Sequence, residues 1–382
     1  MIFLAGSPAA ECRLLIACSS QLHYFLTANN PLNTFFECAL FVAGLAFGSF
    51  LNVCITRIPR DESVLRPGSH CRACGRPVRW RDNVPVLSFL LLHGRCRDCR
   101  ELIPYRYPAV ELLTAIVFAA CYAWFGPTWV TVKFCIFGFL LVGLIFMDAE
   151  TGLLPHEFTY PGIVIGLVFS WLVPGDSSGT WLLLLLFHRH LENVRGLALL
   201  DGFIGALVGA CFFYFSWALY YLARKRHGLG FGDIALIAMT GAFLGLKLNL
   251  LVLIAGPIVT LLYVVMLAVR EAFRPRRKAA QPAEAHANSV RDDEVLARDR
   301  GRTASSRAAA MGASAPPAGD AERASIQAAA EVQGSQADAD VTVDEAPFLQ
   351  RELPFGVFLG ACALATIFFG QVVWLWYLAR FR

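Results

Sequence analysis

Two aspartates sit at the ends of long apolar runs in this sequence. Asp233 closes GLGFGD, Gly228 to Asp233, and opens one such run; Asp148 stands near the end of another, in FMDAETGLLPHEFTYP. A charged side chain within a bilayer costs roughly 2.5 to 3.5 kcal/mol on insertion scales, which makes each a candidate functional group. Brought together in a low-dielectric site, the two cannot both ionise cheaply, so one keeps a proton while the other stays charged. Such a pair can activate water against a peptide carbonyl: the charged member takes a proton from the water, and the neutral member donates to the developing oxyanion or leaving nitrogen. Gly230 and Gly232, with Gly228, would let backbone approach a substrate strand closely. A helix beginning at Asp233 would favour an anion there through its dipole. The bland alternative is that both aspartates only cap helices, and Glu150 and Glu157 are rival acids beside Asp148.

A second constellation is CRACGRPVRWRDNVPVLSFLLLHGRCRDC. Cys71 and Cys74 form one C-x-x-C pair, and after twenty-one residues Cys96 and Cys99 form another. Paired C-x-x-C knuckles at this separation suit tetrahedral thiolate binding of structural Zn²⁺. A reducing compartment would argue against disulfides. Four thiolates on Zn²⁺ carry a net charge of about minus two, which Arg72, Arg76, Arg95, Arg97 and Arg100 would offset. Redox or purely structural roles, and a nucleic-acid-binding ribbon, are the alternatives; the flanking apolar runs favour a role at a membrane surface with no nucleic acid. The remaining eight of the twelve cysteines are scattered singly, mostly in apolar runs, as small hydrophobes.

The elements that must position these residues are membrane helices. With 57% hydrophobic residues, 16% charged and a mean hydropathy of +0.54 over 382 residues, the composition excludes an ordinary soluble domain. Apolar runs predict eight spans, at Phe36 to Cys54, Pro108 to Phe125, Trp129 to Met147, Phe158 to Val173, Phe203 to Leu222, Ile234 to Leu246, Leu250 to Val269 and Phe355 to Tyr377. The fold class is therefore an all-α polytopic membrane protein with a small zinc-binding loop domain. The run Trp181 to Phe187 reaches only about 10 Å as a helix, too short to cross, and reads as interfacial or re-entrant. Two spans then separate Asp148 from Asp233 and return them to one side.

The region Arg57 to Arg106 holds eleven arginines, and basic clusters recur at Arg224 to Arg226 and Arg274 to Lys278. With eight spans these share one face, which the positive-inside rule makes cytoplasmic. Residues 1–35 read as an amino-terminal extension without a cleavable signal. Residues 36–112 hold the first span, the cysteine loop and the start of the second span, 113–270 the membrane core with both aspartates, and 353–382 the last span. Within 271–352, the Ala, Ser, Gly and Gln-rich stretch 279–346 cannot bury enough apolar surface to order itself and is expected to be disordered.

These blocks together resemble the type IV prepilin peptidases, the prepilin leader peptidase/N-methyltransferases. The similarity runs through GSFLNVCITRIP at Gly48 to Pro59, the two C-x-x-C pairs, WRDNVPVLSFLLLHGRC at Trp80 to Cys96 and RYPAVEL at Arg106 to Leu112. It continues through Asp148 with LLPHEFTYP, GFGD at Gly230 to Asp233 and LPFGVFL at Leu353 to Leu359. The resemblance implies a membrane aspartic protease of the GxGD type, in the bacterial inner membrane, with Asp148 and Asp233 catalytic. It implies removal of the basic leader from prepilins or pseudopilins at the cytoplasmic face, followed by methylation of the new amino terminus with S-adenosylmethionine. The methyl-transfer role attaches to the region matching Gly48 to Glu111, although no Gly-rich nucleotide motif is present. The family's pattern GxGDxK is broken by Ala235, where a lysine would be expected to snorkel to the membrane interface. Three rival readings are a carboxylate-based ion transporter, with sites near the midplane on broken helices, a non-catalytic assembly scaffold that docks partners through the zinc module, and a peptidase without methyltransferase activity.

Overall fold

A computed structural model describes residues 31–175, 193–225, 230–273 and 354–379, with Ser177 and Thr180. The run Trp181 to Phe187, Gly228, the stretch 279–346 and residues 1–30 of the extension lie outside the described residues. The chain divides into two compact units, Met1–Tyr263 with Leu353–Arg382, and Val264–Glu352. Of the second unit, residues 264–273 are described, 264–272 of them helical. All contacts given below lie within the first unit.

Apart from two isolated bridges, the described residues carry helices and loops. Long apolar runs become helices because a helix satisfies its own backbone groups where no water can. They are α1 (Pro31–Arg57), the short α2 (Leu87–Leu91), α3 (Arg106–Phe125), α4 (Trp129–Thr151), α5 (His156–Leu172), α6 (Val194–Arg224), α7 (Phe231–Ala272) and α8 (Phe355–Ala379), with single 3₁₀ turns at Ile58–Arg60 and Trp80–Asn83. Among the described residues, six helices are long and apolar enough to cross a membrane. The 17-residue α5 falls just below that length, and α7 is two segments joined at a break. The eight expected spans thus correspond to eight helical segments among the described residues. Boundaries move in three places: α1 starts at Pro31, so residues 31–35 of the expected extension belong to the first helix; α6 starts at Val194, ahead of the expected Phe203; and α7 runs to Ala272, into the start of the expected 271–352 loop.

The break in α7 falls at Gly245, whose φ of 79° and ψ of 176° suit only glycine. A break of this kind strands the carbonyl of residue i−3, here Ala242, whose helical partner would be the Leu246 N–H. Ser170 Oγ on α5 donates to that carbonyl at 2.8 Å. Asn249, just past the break, donates to the Gly205 carbonyl on α6 at 2.9 Å and accepts from Thr240 Oγ1 at 2.7 Å. Neighbouring side chains thus re-satisfy backbone that lipid could not.

Helix pairs in lipid lack a hydrophobic drive toward each other and pack instead through small residues. Gly44 and Gly48 of α1 lie against the α3 backbone: a Cβ on Gly44 would meet Ala115 Cα at 2.5 Å, and one on Gly48 would meet Glu111 Cα at 2.6 Å. That crossing sets Asn52, one turn beyond Gly48, opposite the start of α3, where it donates to the Tyr107 carbonyl at 2.9 Å. On the other side of the bundle Gly205 of α6 abuts the α7 backbone at Gly245 and Leu246. The buried centre is filled by Leu51, Leu141, Met147, Leu236 and Met239, with Phe137 and Phe243 stacked at 4.5 Å.

Candidate active site

Asp148 is placed by the way α4 ends. Gly152, with φ of 63°, takes the left-handed conformation that stops a helix, and its N–H closes onto the Asp148 carbonyl at 2.9 Å. The aspartate therefore sits in the last helical turn, 6% exposed. Asp233 is placed by the way α7 begins. It occupies the third helical position, with Gly230 in the capping position; its N–H donates to the Gly230 carbonyl at 3.2 Å, while its carboxylate accepts from the Gly230 N–H. This is the acidic half of a capping box, so the capping role weighed for Asp233 is real and engages part of its carboxylate. Asp233 is 8% exposed, and Asp148 is close enough for its charge to act on it.

The pair is assembled by a third helix. Val357 N–H at the start of α8 donates to Asp148 Oδ2 at 2.9 Å, and the Gly356 backbone is directed at the same carboxylate. Asp148 thus caps α8 from another element, and two helix N-termini, each favourable to negative charge, meet at the two carboxylates. Leu154, in the loop after α4, links the three parts. A Cβ on Gly232 would meet Leu154 Cβ at 2.6 Å, and one on Gly356 would meet both Asp148 Oδ2 and Leu154 Cδ1 at 3.0 Å. Gly232 is therefore used to seat Leu154, whereas Gly230 is exposed beside the Asp233 carboxylate.

The rival acids separate. Glu157 is exposed. Glu150 is paired with Arg106 at the start of α3, and Arg106 also donates to Thr56 Oγ1 at 3.1 Å and lies over the Tyr107 ring at 4.7 Å. Ala235 corrects an expectation: it is 7% exposed, so a side chain there enters the bundle and does not face outward. The contributions of Leu154, Gly356, Val357 and Arg106 do not follow from residue chemistry, since three of them act through backbone or packing. Their signal in the sequence was the resemblance of LLPHEFTYP, RYPAVEL and LPFGVFL.

The cysteine loop carries two copies of one turn. Cys71 N–H donates to the Arg76 carbonyl at 2.9 Å and Gly75 N–H to the Cys71 carbonyl at 2.9 Å; Cys96 N–H donates to the Glu101 carbonyl at 2.8 Å and Arg100 N–H to the Cys96 carbonyl at 3.0 Å. Each turn needs a left-handed residue after its second cysteine, Gly75 with φ of 70° and Arg100 with φ of 62°. The Sγ atoms of Cys71, Cys74, Cys96 and Cys99 all lie within 4.8 Å of one another, with Cys71 and Cys99 at 3.7 Å. Zn–S bonds of about 2.3 Å in a tetrahedron put sulfurs about 3.8 Å apart, so the cluster fits a metal such as zinc. Two of the nearby arginines have carboxylate partners: Arg76 pairs with Asp98 at 3.2 Å, and Arg97 makes a bidentate pair with Asp82. The hydrogen bonds from Arg97 hold the Asp82 carboxyl below the usual carboxylate range.

Comparison with known proteins agrees with this architecture. Residues 42–125 match the family described as Bacterial Peptidase A24 N-terminal domain, and residues 134–265 match the Type IV leader peptidase family. A prepilin leader peptidase/N-methyltransferase of Myxococcus xanthus is 39% identical over 55% of this chain and 56% of its own length. The protein of the same name from Neisseria gonorrhoeae is 33% identical over 54% of this chain and 73% of its own, and that of Pseudomonas aeruginosa 32% over 64% and 85%. No solved structure matches. With both family regions in order and relatives matched over most of their length, the chain belongs to the type IV leader peptidase family.

Proposed function

We propose that the chain is a membrane-embedded aspartic endopeptidase that removes the basic leader from type IV prepilins or pseudopilins and then methylates the exposed amino terminus. Asp148 and Asp233 are its catalytic pair. The observation that carries this reading is their convergence, both buried, where α4 ends and α7 and α8 begin. One carboxylate takes a proton from water as its oxygen attacks the scissile carbonyl carbon; the other donates to the oxyanion and then to the leaving nitrogen. No covalent intermediate is required. The substrate's apolar segment lies in the bilayer against the bundle, which presents its leader junction at the membrane face that holds both aspartates. The basic clusters of the sequence support a cytoplasmic position for that face, in the inner membrane of a bacterium. The cysteine cluster holds one structural Zn²⁺, and S-adenosylmethionine supplies the methyl group.

A transporter would share one feature, the broken helix at Gly245. There Asp201 accepts from Thr180 Oγ1 and is engaged within the bundle, whereas the two aspartates at the helix ends carry the arrangement that peptide hydrolysis needs. The test is incubation of purified protein with a prepilin and S-adenosylmethionine, followed by product mass. Asp148→Asn and Asp233→Asn should each abolish cleavage while the protein still inserts, and Glu157→Gln should not. Normal processing by either aspartate variant would sink the mechanism.

A further inference from the structure

Between α1, α3 and the cysteine loop lies a cavity of about 610 Å³, within the roughly 300–1,000 Å³ of small-molecule sites. Two of the polar side chains that line it were buried by the α1–α3 crossing: Asn52 is 3% exposed and Glu111 8%. Glu111 accepts from the Val86 N–H at 2.7 Å, and the Ser49 and Asn52 side chains reach it as well. Asn52 spends its amide on the Tyr107 carbonyl, yet its Oδ1 is buried with no hydrogen-bond partner. Leaving a buried acceptor unmet is costly; beside a cavity, it marks where a donor or a positive charge is to be received. Val86 adds a second mark. Its φ of 58° is an outlier for a β-branched residue, and its N–H is the one bound to Glu111, which puts backbone strain in the cavity wall. The outer lining is mixed: Asp82 and Asp98 are paired with Arg97 and Arg76, Glu62 and Glu101 also lie there, and Arg72 and Arg79 are exposed among them.

We infer that this cavity is the methyl-donor site, taking a zwitterionic sulfonium compound with its positive end at Asn52 Oδ1 and Glu111 and its carboxylate toward Arg72 and Arg79. This rests on the methyltransferase reading above and adds to it the residues and the place. The place suits a product of cleavage. Thr56 and Tyr107 line the cavity; Arg106 contacts both and pairs with Glu150, two residues beyond Asp148. An amine freed at the aspartates therefore emerges on the face where the cavity opens, one ion pair away. After the ammonium has lost a proton to water, the amine nitrogen attacks the methyl carbon. The N–C bond forms as the C–S bond breaks, and the sulfonium leaves as a neutral thioether.

The test is isothermal titration of the zinc-loaded full chain with S-adenosylmethionine and with S-adenosylhomocysteine, which lacks the sulfonium charge. The unaltered protein should bind the charged compound at least about tenfold more tightly than the neutral one, and Asn52→Leu and Glu111→Gln should erase that preference. Asn83→Trp, at an exposed position on the cavity wall, should block both compounds with an unchanged melting temperature, which keeps the test decisive if a buried variant fails to fold. Should Asn83→Trp and Asn52→Leu bind S-adenosylmethionine as the unaltered protein does, the cavity assignment falls while methylation, read by product mass, stands. An unaltered protein that neither binds the donor nor methylates overturns the methyltransferase reading and the inference with it.

Discussion

The backbone N–H of Val357 donates to Asp148 Oδ2 at 2.9 Å across 209 residues of sequence. The last helix of the chain is therefore part of the aspartate site, although it contributes no titratable side chain there. A hydrogen bond to a charged acceptor contributes roughly 1.5 to 3 kcal/mol.

Val357→Pro removes that donor, which the Pro354 carbonyl shares at 3.3 Å, at a helical position whose N–H has no partner four residues back. Cleavage measured in a single turnover should slow by about ten- to a hundredfold, with insertion retained. Gly356→Val, which places side-chain atoms against Asp148 and Leu154, should be at least as damaging. A normal rate in both would remove α8 from the site.

Ala235→Lys should lower the melting temperature, because the position is 7% exposed and a lysine there must bury its charge or displace the start of α7. The cleavage rate constant per folded molecule should change by less than tenfold, or about 1.4 kcal/mol. A gain of hundreds-fold would make a lysine at this position part of the catalytic machinery.

Purified protein under reducing conditions should hold one zinc per chain, bound by Cys71, Cys74, Cys96 and Cys99. Cys71→Ser, or prolonged chelation, should release it and expose the segment between α1 and α3 to protease, since structural zinc contributes folding free energy directly. Methylation should fall further than cleavage, whose aspartates lie on other elements. Stoichiometric metal surviving in Cys71→Ser would count against the assigned ligands.

The two cysteine turns differ at their left-handed residue, Gly75 in one and Arg100 in the other. A side chain in that conformation costs about 1 kcal/mol relative to glycine. Arg100→Gly should raise the thermal stability of the zinc-loaded loop, and Gly75→Arg should lower it. Equal and unchanged melting for both would show that the second turn is not strained.

Much of the chemistry was legible without a structure. Asp148 and Asp233 announced themselves because a carboxylate at the end of an apolar run is costly, and the cysteine quartet because ligand spacing is a local property of the chain. The all-helical membrane architecture followed from the bilayer's thickness, and the parity of the expected spans set the aspartates on one face. The sequence could not show that Asp148 caps α8, that Leu154 seats against Gly232, or that α7 bends at Gly245 under Ser170. Those facts depend on backbone groups, which every residue carries alike, and on glycines whose use is decided by the helix that approaches them. Nor could it show that Asn52 and Glu111 share a cavity, because that follows from the crossing of α1 and α3 at Gly48. Residue type and spacing fixed which groups were available for chemistry; helix packing alone determined which of them meet, since only packing brings together residues separated by dozens or hundreds of positions.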